Sequence, residues 1–557
     1  MLTALPGLRP TLLESLRHYN RALFRQDLMA GLTVGIVALP LAMAFAIASG
    51  VPPQAGIFTA VIAGFLASAL GGTRLCVTGP TGAFIVIIYG IVLKYGVANL
   101  ILCTFMAGVM LVIMGLLRLG QVIKFFPMPL ITGFTNGIAV LIFLTQLKDF
   151  FGLPIDKMPA GFFAVIDLLR HTLPQFDPLT LAIAMATLLL ILLWPKKLGK
   201  TLPGPFVALI LATLTVTLFE LPLATIGSKF GGIPQGLPEV HGLSFDPEHL
   251  SDLLAPAFTI ALLGAIESLL CAVVADSLTG DKHDANQELI AQGIANMVVP
   301  FFGGIPATGA IARTATNISN GGQTPVAGIV HAALLLLVIL IAAPLAAYIP
   351  LAALAAILIS VSIKMGDWDV RKAAQFPRQD TAILIVTFVL TVVFDLTIAV
   401  QIGLMMAAVF FIRRMAASTS IQRLRAEHAL MYERHSIAGK HVPDGCVAFR
   451  VEGALFFGAA DSLEHIITEA TDARVIILQL HRLVLLDTSG LLALSTLNER
   501  LQQQDRTLIL CGAGNEITAM IRHAPLAAEM GERNIQPDLV TALRRAEDIL
   551  TSGVVWG

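Results

Sequence analysis

From Asp27 to about Met415 the chain alternates long apolar runs with short breaks rich in polar residues, glycine and proline. The runs 33–48, 99–117, 179–194, 253–275, 327–343 and 381–394 each come near the roughly 20 apolar residues that a helix needs to cross a bilayer. Spans read this way begin at Asp27, Gln54, Thr78, Val97, Pro127, Pro178, Pro205, Leu253, Gln287, Thr308, Thr324, Pro344, Asp380 and Leu396. The expected fold is an all-α polytopic membrane domain of about fourteen spans. After Arg414 the pattern changes. Short β-like runs at 446–451 and 475–480, then helix-periodic stretches such as 491–501, predict a compact α/β domain. The expected boundaries are 1–26 for an N-terminal segment, 27–415 for the membrane domain, 416–444 for a linker and 445–557 for the terminal domain with its tail.

Two spans read as broken. Residues 71–84 and 303–311 place Gly, Thr and Pro where a continuous membrane helix has Leu and Val. Both contain a Gly-Gly pair, then a proline, then Thr-Gly-Ala and an apolar residue. They are third and tenth in the span order, which is position three in each of two seven-span halves. An odd number of spans per half makes the second half enter the membrane the opposite way. The pattern therefore predicts a 7+7 inverted repeat whose interrupted helices meet near the midplane. The competing reading is that Thr-Gly-Ala is a common tripeptide and the match is accidental.

Composition supports the membrane reading, with 56% hydrophobic and 13% charged residues among 557, against roughly 25% charged in soluble domains. Lys and Arg number 36 against 37 Asp and Glu, a balance that points away from a nucleic-acid partner. Cys76, Cys103, Cys271, Cys446 and Cys511 are scattered without ligand-like spacing, so neither a disulfide framework nor a metal site is expected. Arg17, Arg21 and Arg25 precede the first span, with no secretory cleavage pattern after it. Further basic clusters at Arg118/Lys124, Lys196/Lys197/Lys200, Arg371/Lys372/Arg378 and Arg413/Arg414 follow even-numbered spans. The expected protein is multi-pass in the cell's inner (plasma) membrane, with both termini cytoplasmic.

The broken helices carry the candidate chemistry. Backbone N–H groups at a helix start lack intrahelical partners, and aligned peptide dipoles leave partial positive charge there. Half-helices starting near Thr81 and Thr308 with facing N-termini would form an anion site. Gly79, Gly82 and Gly309 would let backbone approach the substrate, and Thr78, Thr81 and Thr308 would donate hydroxyl hydrogen bonds. Glu267 stands amid Leu263, Ile266, Leu269 and Leu270, and an ionisable group at that depth is functional by default. Three readings stand: a proton carrier, a sodium ligand, or a protonated carboxyl packing between helices. Cys271, one turn on, is a poor partner for a hard cation, which weighs toward the proton. Arg313 either pairs with Glu267, strengthens the anion field, or snorkels to an interface.

At these residues the chain resembles the sulfate permease family, the anion transporters that include prestin and pendrin. Pro40-Leu41-Ala42-Met43-Ala44-Phe45-Ala46 with the following Gly50-Val51-Pro52-Pro53 resembles its first-helix signature, and Gly264-Ala265-Ile266-Glu267-Ser268 resembles its eighth-helix segment. The region from Cys446, with Leu486-Asp487-Thr488-Ser489-Gly490, resembles the STAS domain. The resemblance implies core and gate domains, elevator-type movement and a homodimer. It also implies that substrate meets Leu41, Phe45, Thr78, Gly79, Thr81, Gly82, Ala83, Phe84, Thr308, Gly309, Ala310 and Ile311. Many animal members have glutamine where this chain has Leu41. Sodium-coupled bicarbonate members carry Asp at position 267 and Thr at 271. The stretches 267–275 and 301–313 look most similar to proton-coupled dicarboxylate members, so C4-dicarboxylate symport (fumarate or succinate) is expected, with bicarbonate or sulfate open. No cofactor is expected beyond a coupling proton or sodium ion. Ser489 matches the position phosphorylated in soluble relatives, and its turn also reads as a plain helix cap. A cytoplasmic protein partner of this domain is a further expectation.

Three other classes compete. An anion channel would pass flux that neither saturates nor follows a coupled gradient. An enzyme is disfavoured because no hydrolase or metalloprotease motif occurs. A signalling scaffold would have no need of two matched broken helices, since irregular backbone survives in a membrane only where it is buried or lines a cavity.

Overall fold

The structure, a computed structural model, describes residues 9–121, 127–159, 161–195, 203–240, 242, 250–369, 375–394, 396–424, 437, 440–457 and 463–552. Of the basic clusters named above, Lys124, Lys196, Lys197, Lys200, Arg371 and Lys372 lie outside these residues. The chain forms two compact units, Met1–Met405 and Met406–Gly557.

In the first unit, α1 (Arg21–Ala48) and α2 (Pro53–Leu70) lead into a two-residue strand, β1 (Thr78–Gly79), and then α3 (Ile85–Leu116). There follow α4 (Met128–Phe150), α5 (Phe162–Thr172), α6 (Pro178–Leu193) and α7 (Gly204–Leu218). The second half has α8 (Leu250–Thr279), α9 (Ala285–Val298), β2 (Thr308–Gly309), α10 (Ile311–Ser319), α11 (Val326–Ala346), α12 (Leu351–Met365) and α13 (Arg378–Val393), and the boundary between the units falls within α14 (Leu396–Ala417).

Local sequence sets the helix starts. Asn20 caps α1 by accepting N–H bonds from Ala22 and Leu23 at 2.9 and 3.0 Å, and Asp177 and Asp284 cap α6 and α9 in the same way. Within α3, Gly96 has φ +81°, a setting that glycine reaches without strain, and the break separates the third and fourth expected spans. Counting α3 twice and setting α5 aside gives the fourteen elements read from the sequence. Among the described residues, seven helices are long and apolar enough to cross alone. The rest are shorter, from nine residues in α10 to sixteen in α6 and α13, and need neighbours to satisfy their ends.

The sequence reading left out α5. Asp167, Arg170 and His171 break its apolar run, and it meets α6 at a bend of 112° with Phe163 69% exposed. Elsewhere, small residues let helices close up: a Cβ on Gly56 would lie 1.9 Å from Ala42 O, and one on Gly108 would lie 2.7 Å from Gly293 O.

The second unit carries a five-stranded sheet in the order β3 (Ser420–Arg423), β4 (Cys446–Leu455), β5 (Val475–Leu486), β6 (Thr507–Cys511), β7 (Ile535–Gln536). β3 is antiparallel to β4, and the remaining pairs are parallel. Residues Val475 to Leu480 are all buried, the mark of a strand covered on both faces. One face packs on Leu494, Leu497 and Leu501 of a helix spanning Thr488–Gln502, the other on Leu539, Ala542 and Ala546 of a helix spanning Leu539–Ser552. The stretch 416–444, expected as linker, supplies the end of α14 and the edge strand β3, while 425–436 and 438–439 lie outside the described residues.

Candidate functional site

The two broken stretches meet. β1 and β2 pair antiparallel, with Thr78 opposite Gly309 and Gly79 opposite Thr308, and Ala310 N–H donates to Val77 O at 2.8 Å. Antiparallel pairing is what opposite passage through the membrane requires. A 3-10 turn at Gly82–Phe84 carries the chain from β1 into α3, and Ala310 carries it from β2 into α10. The helices leave in opposite directions, so the partial positive charges of their N-termini are directed at the crossing.

Side chains from surrounding helices brace this short pairing. Thr59 of α2 donates to Ile305 O at 3.1 Å and accepts from Ile305 N–H at 2.7 Å. Asn296 of α9 bonds both the N–H and C=O of Ala307 at 2.8 Å. Gln292 donates to Thr78 Oγ1 at 2.6 Å and to Glu288 Oε1 at 3.0 Å, and Glu288 also accepts from Thr73 Oγ1 at 2.5 Å and Gly72 N–H at 3.1 Å. Sequence reasoning missed this group. The signal was present, because Glu288, Gln292 and Asn296 follow at i, i+4 and i+8 and so share one helix face.

The same bonds bear on two expectations. Thr78 and Thr308, expected to donate to an anion, are 1% and 0% exposed and turn their hydroxyls into the protein. Thr308 Oγ1 donates to Gly264 O at 3.0 Å and lies 2.8 Å from Ser268 Oγ, which accepts from Gly309 N–H at 3.0 Å. Gly309 likewise serves packing: a Cβ there would lie 2.9 Å from Cys76 Sγ and 3.1 Å from Ser268 Cα. Phe84 is buried, with its ring on Gly264 of α8, and Ala83 and Ala310 are buried as well, whereas Ile311 is exposed.

Of the other expected residues, Thr81 and Gly82 follow β1 directly and Arg313 reaches back to it. Thr81 is half-buried and donates to Glu267 Oε2 at 3.0 Å. A Cβ on Gly82 would lie 3.4 to 3.6 Å from Ile142, Met365 and Phe45, which places α1, α4 and α12 around the start of α3. Leu41 stands half-buried one turn before Phe45. Arg313 is 2% exposed, so it does not snorkel, and its Nη2 donates to Pro80 O at 3.1 Å. The other terminal nitrogen, Nη1, is buried without a hydrogen-bond partner and lies 2.1 Å from where a Cβ on Gly79 would stand. Among the described residues no ion pair joins Arg313 to Glu267. Cys76 and Cys271 are free thiols with sulfurs 3.1 Å apart, and Cys271 Sγ also bonds Thr314 Oγ1 at 3.0 Å.

In the second unit Asp487 accepts from Gly490 N–H at 2.8 Å and from Phe457 N–H at 3.3 Å, which makes it the helix cap, with Ser489 half-buried in the first turn.

Two inverted halves, each contributing a discontinuous helix to one charged crossing, define a membrane transport protein with a carboxyl and a guanidinium beside its centre. The chain belongs to the sulfate permease family, which it matches over residues 24–387, and residues 439–542 match the STAS domain. It is 42% identical to the putative sulfate transporter YvdB of Bacillus subtilis (strain 168), over 93% of this chain and 96% of that one. It is 33% identical to the bicarbonate transporter BicA of Picosynechococcus sp. (strain ATCC 27264 / PCC 7002 / PR-6), over 88% and 89% of the two chains. The solved structure of SLC26A9 shares its fold with a TM-score of 0.85 at 18% identity, covering 98% of this chain and 93% of that one. The protein is therefore an anion transporter and not an enzyme.

Proposed function

We propose that this chain is a secondary active carrier in which a proton on Glu267 is coupled to a dianion, a C4-dicarboxylate or sulfate, bound at the crossing of β1 and β2. The observation that carries this reading is the 3.0 Å hydrogen bond from Thr81 to Glu267. Thr81 immediately precedes the first turn leading into α3, so an anion received by that helix start sits against the Glu267 carboxylate. Two like unit charges 4 Å apart repel by about 4 kcal/mol at an effective dielectric of 20, and a dianion by about twice that. Protonation removes the repulsion, so anion and proton bind together, and that linkage is symport. Sodium in the proton's place would need hard oxygen ligands around Glu267, and the residue one turn on, Cys271, offers sulfur already bonded to Thr314.

A monoanion is the second reading, because one relative is named a bicarbonate transporter and the close approach of Phe45, Ile142 and Met365 to Gly82 suits a small ligand. Access from alternate faces would come from elevator movement of the crossing, within a homodimer in the plasma membrane. The test is uptake of labelled succinate and sulfate into liposomes holding the purified protein, with and without an inward proton gradient and with bicarbonate as competitor. Saturable, gradient-driven uptake supports the reading. Uptake that ignores the gradient while bicarbonate competes moves the substrate to the monoanion, and flux that does not saturate makes the protein a channel.

A further inference from the structure

Three of the elements around Gly82, α1, α3 and α4, continue past the crossing to the face that α1 reaches at its C-terminal end, and there they line a cavity. α1 runs on from Phe45 to Ile47 and Ala48, with Gly50 in the turn after it, and α4 from Ile142 to Lys148 and Asp149. α3 runs on from Phe84 to Tyr89 and Leu93, roughly 8 and 14 Å along at 1.5 Å per residue. With residues 156–158 and the short helix Ile226–Phe230, they line a cavity of about 420 Å³. Tyr89 holds its rim by donating to Met158 O.

The charge in this cavity is unequal. Lys148, Lys157 and Lys229 line it against Asp149 and Asp156. Two of the ammonium groups converge on a single carboxylate, with Nζ of Lys148 at 3.2 Å and Nζ of Lys229 at 3.8 Å from Asp149 oxygens. Lys148 and Asp149 are only 15% exposed. Burial holds the Lys229 ammonium below its usual range; Asp149 opposes this, and Lys148 lowers it again. Asp156 acts on Lys229 as well, but three ammonium groups against two carboxylates still leave one positive charge unmet, and an incoming anion relieves it. Apolar walls from Ile47, Val92, Leu93 and Phe230 keep the surroundings of low dielectric, which focuses that potential into the cavity.

We propose that this cavity is a capture site for small anions, separate from the crossing, which concentrates the transported anion at the mouth of its path from that face. The inference rests on the chain carrying anions, and on neither proton coupling nor the identity of the anion. Lysine suits such a post: a hydrated point charge on a flexible stem binds without the two-pronged grip of arginine, so the anion is held and then released inward.

The first test needs no knowledge of the substrate. Thr145 lines the cavity, and the native cysteines are buried, so a Thr145→Cys variant of the full chain in liposomes reports on local potential. A sulfonate-bearing methanethiosulfonate is expected to react about 3- to 10-fold faster than a trimethylammonium-bearing one at low salt. The preference should collapse at about 1 M salt and in the Lys148→Gln/Lys229→Gln background, and persist in Lys148→Arg/Lys229→Arg. Equal rates at low salt, or a preference indifferent to the double Gln replacement, would overturn the proposal. In uptake assays with labelled succinate and sulfate, the Gln pair should raise KM several-fold from this face alone with kcat unchanged, and Asp149→Asn should lower it. KM raised equally from both faces would reduce the lysines to scaffolding and end the proposal. Because labelling depends on neither gradient nor substrate, its failure is distinct from failure of proton symport.

Discussion

Glu267 and Arg313 answer different needs at the crossing. Arg313 is a fixed charge, buried and tied to Pro80 O, whereas Glu267 is a group whose charge has to change during transport if the coupling argument holds. Glu267→Gln keeps a hydrogen-bond partner for Thr81 and removes the titration. Accumulation driven by a proton gradient should vanish while anion exchange persists, and unchanged accumulation in paired uptake and exchange assays sinks the proton-carrier role. Gly79 gives a second prediction. Its missing side chain is the space of the Arg313 guanidinium, so Gly79→Ala should destabilise by about 1–3 kcal/mol and weaken anion affinity at least tenfold, measured by uptake KM and thermal unfolding in detergent. Gly309→Val, by contrast, drives a side chain into Cys76 and Ser268 and should be read first as loss of folded protein. At this scale the sequence revealed residue type and depth but not direction. Thr78, Thr81 and Thr308 look alike in a string, and only packing decides that Thr81 alone of the three is left half-buried beside Glu267.

Among the elements, the broken helices were the most legible part of the chain, because Gly and Pro inside an apolar run have few explanations in lipid. The brace around them was not. Gln292 shares a polar helix face with Glu288 and Asn296, which the sequence does display, but what that face bonds emerges only when α9 lies beside β1. Gln292→Ala leaves Thr78 and Glu288 without one of their buried hydrogen bonds and should cost about 1–3 kcal/mol, seen as a lowered Tm. Gln292→Glu also removes the donor and should do no better, whereas loss of transport without loss of Tm would contradict a bracing role. The amphipathic α5 escaped notice for the opposite reason, since its charges make it resemble a loop.

For the whole molecule, the change in apolar pattern after Arg414 pointed to an α/β domain behind the membrane part and the resemblance at Leu486-Asp487-Thr488-Ser489-Gly490 to STAS, while the placement of β3 was not readable, because a four-residue edge strand leaves little trace in a sequence. Asp487→Ala in the terminal domain expressed alone should cost about 1 kcal/mol through loss of the helix cap, measured by urea unfolding. Phosphate on Ser489, at the same helix start, is expected to be tolerated there and to act through a partner; a phosphomimetic variant with unaltered uptake and unaltered binding to cell extract removes that role.

The two-residue pairing of β1 with β2 has one more consequence. Thr59, Asn296, Gln292 and Ser268 bind it to α2, α9 and α8, so the pairing and those three helices form one body, whereas the walls beside Gly82 come from α1, α4 and α12, which these bonds do not reach. An anion held mainly by that body keeps the same polar partners at either face. Intrinsic dissociation constants for the anion, measured from the two faces at equal pH and zero voltage, should therefore agree within about twofold. A large asymmetry would show that the crossing is rebuilt on the way.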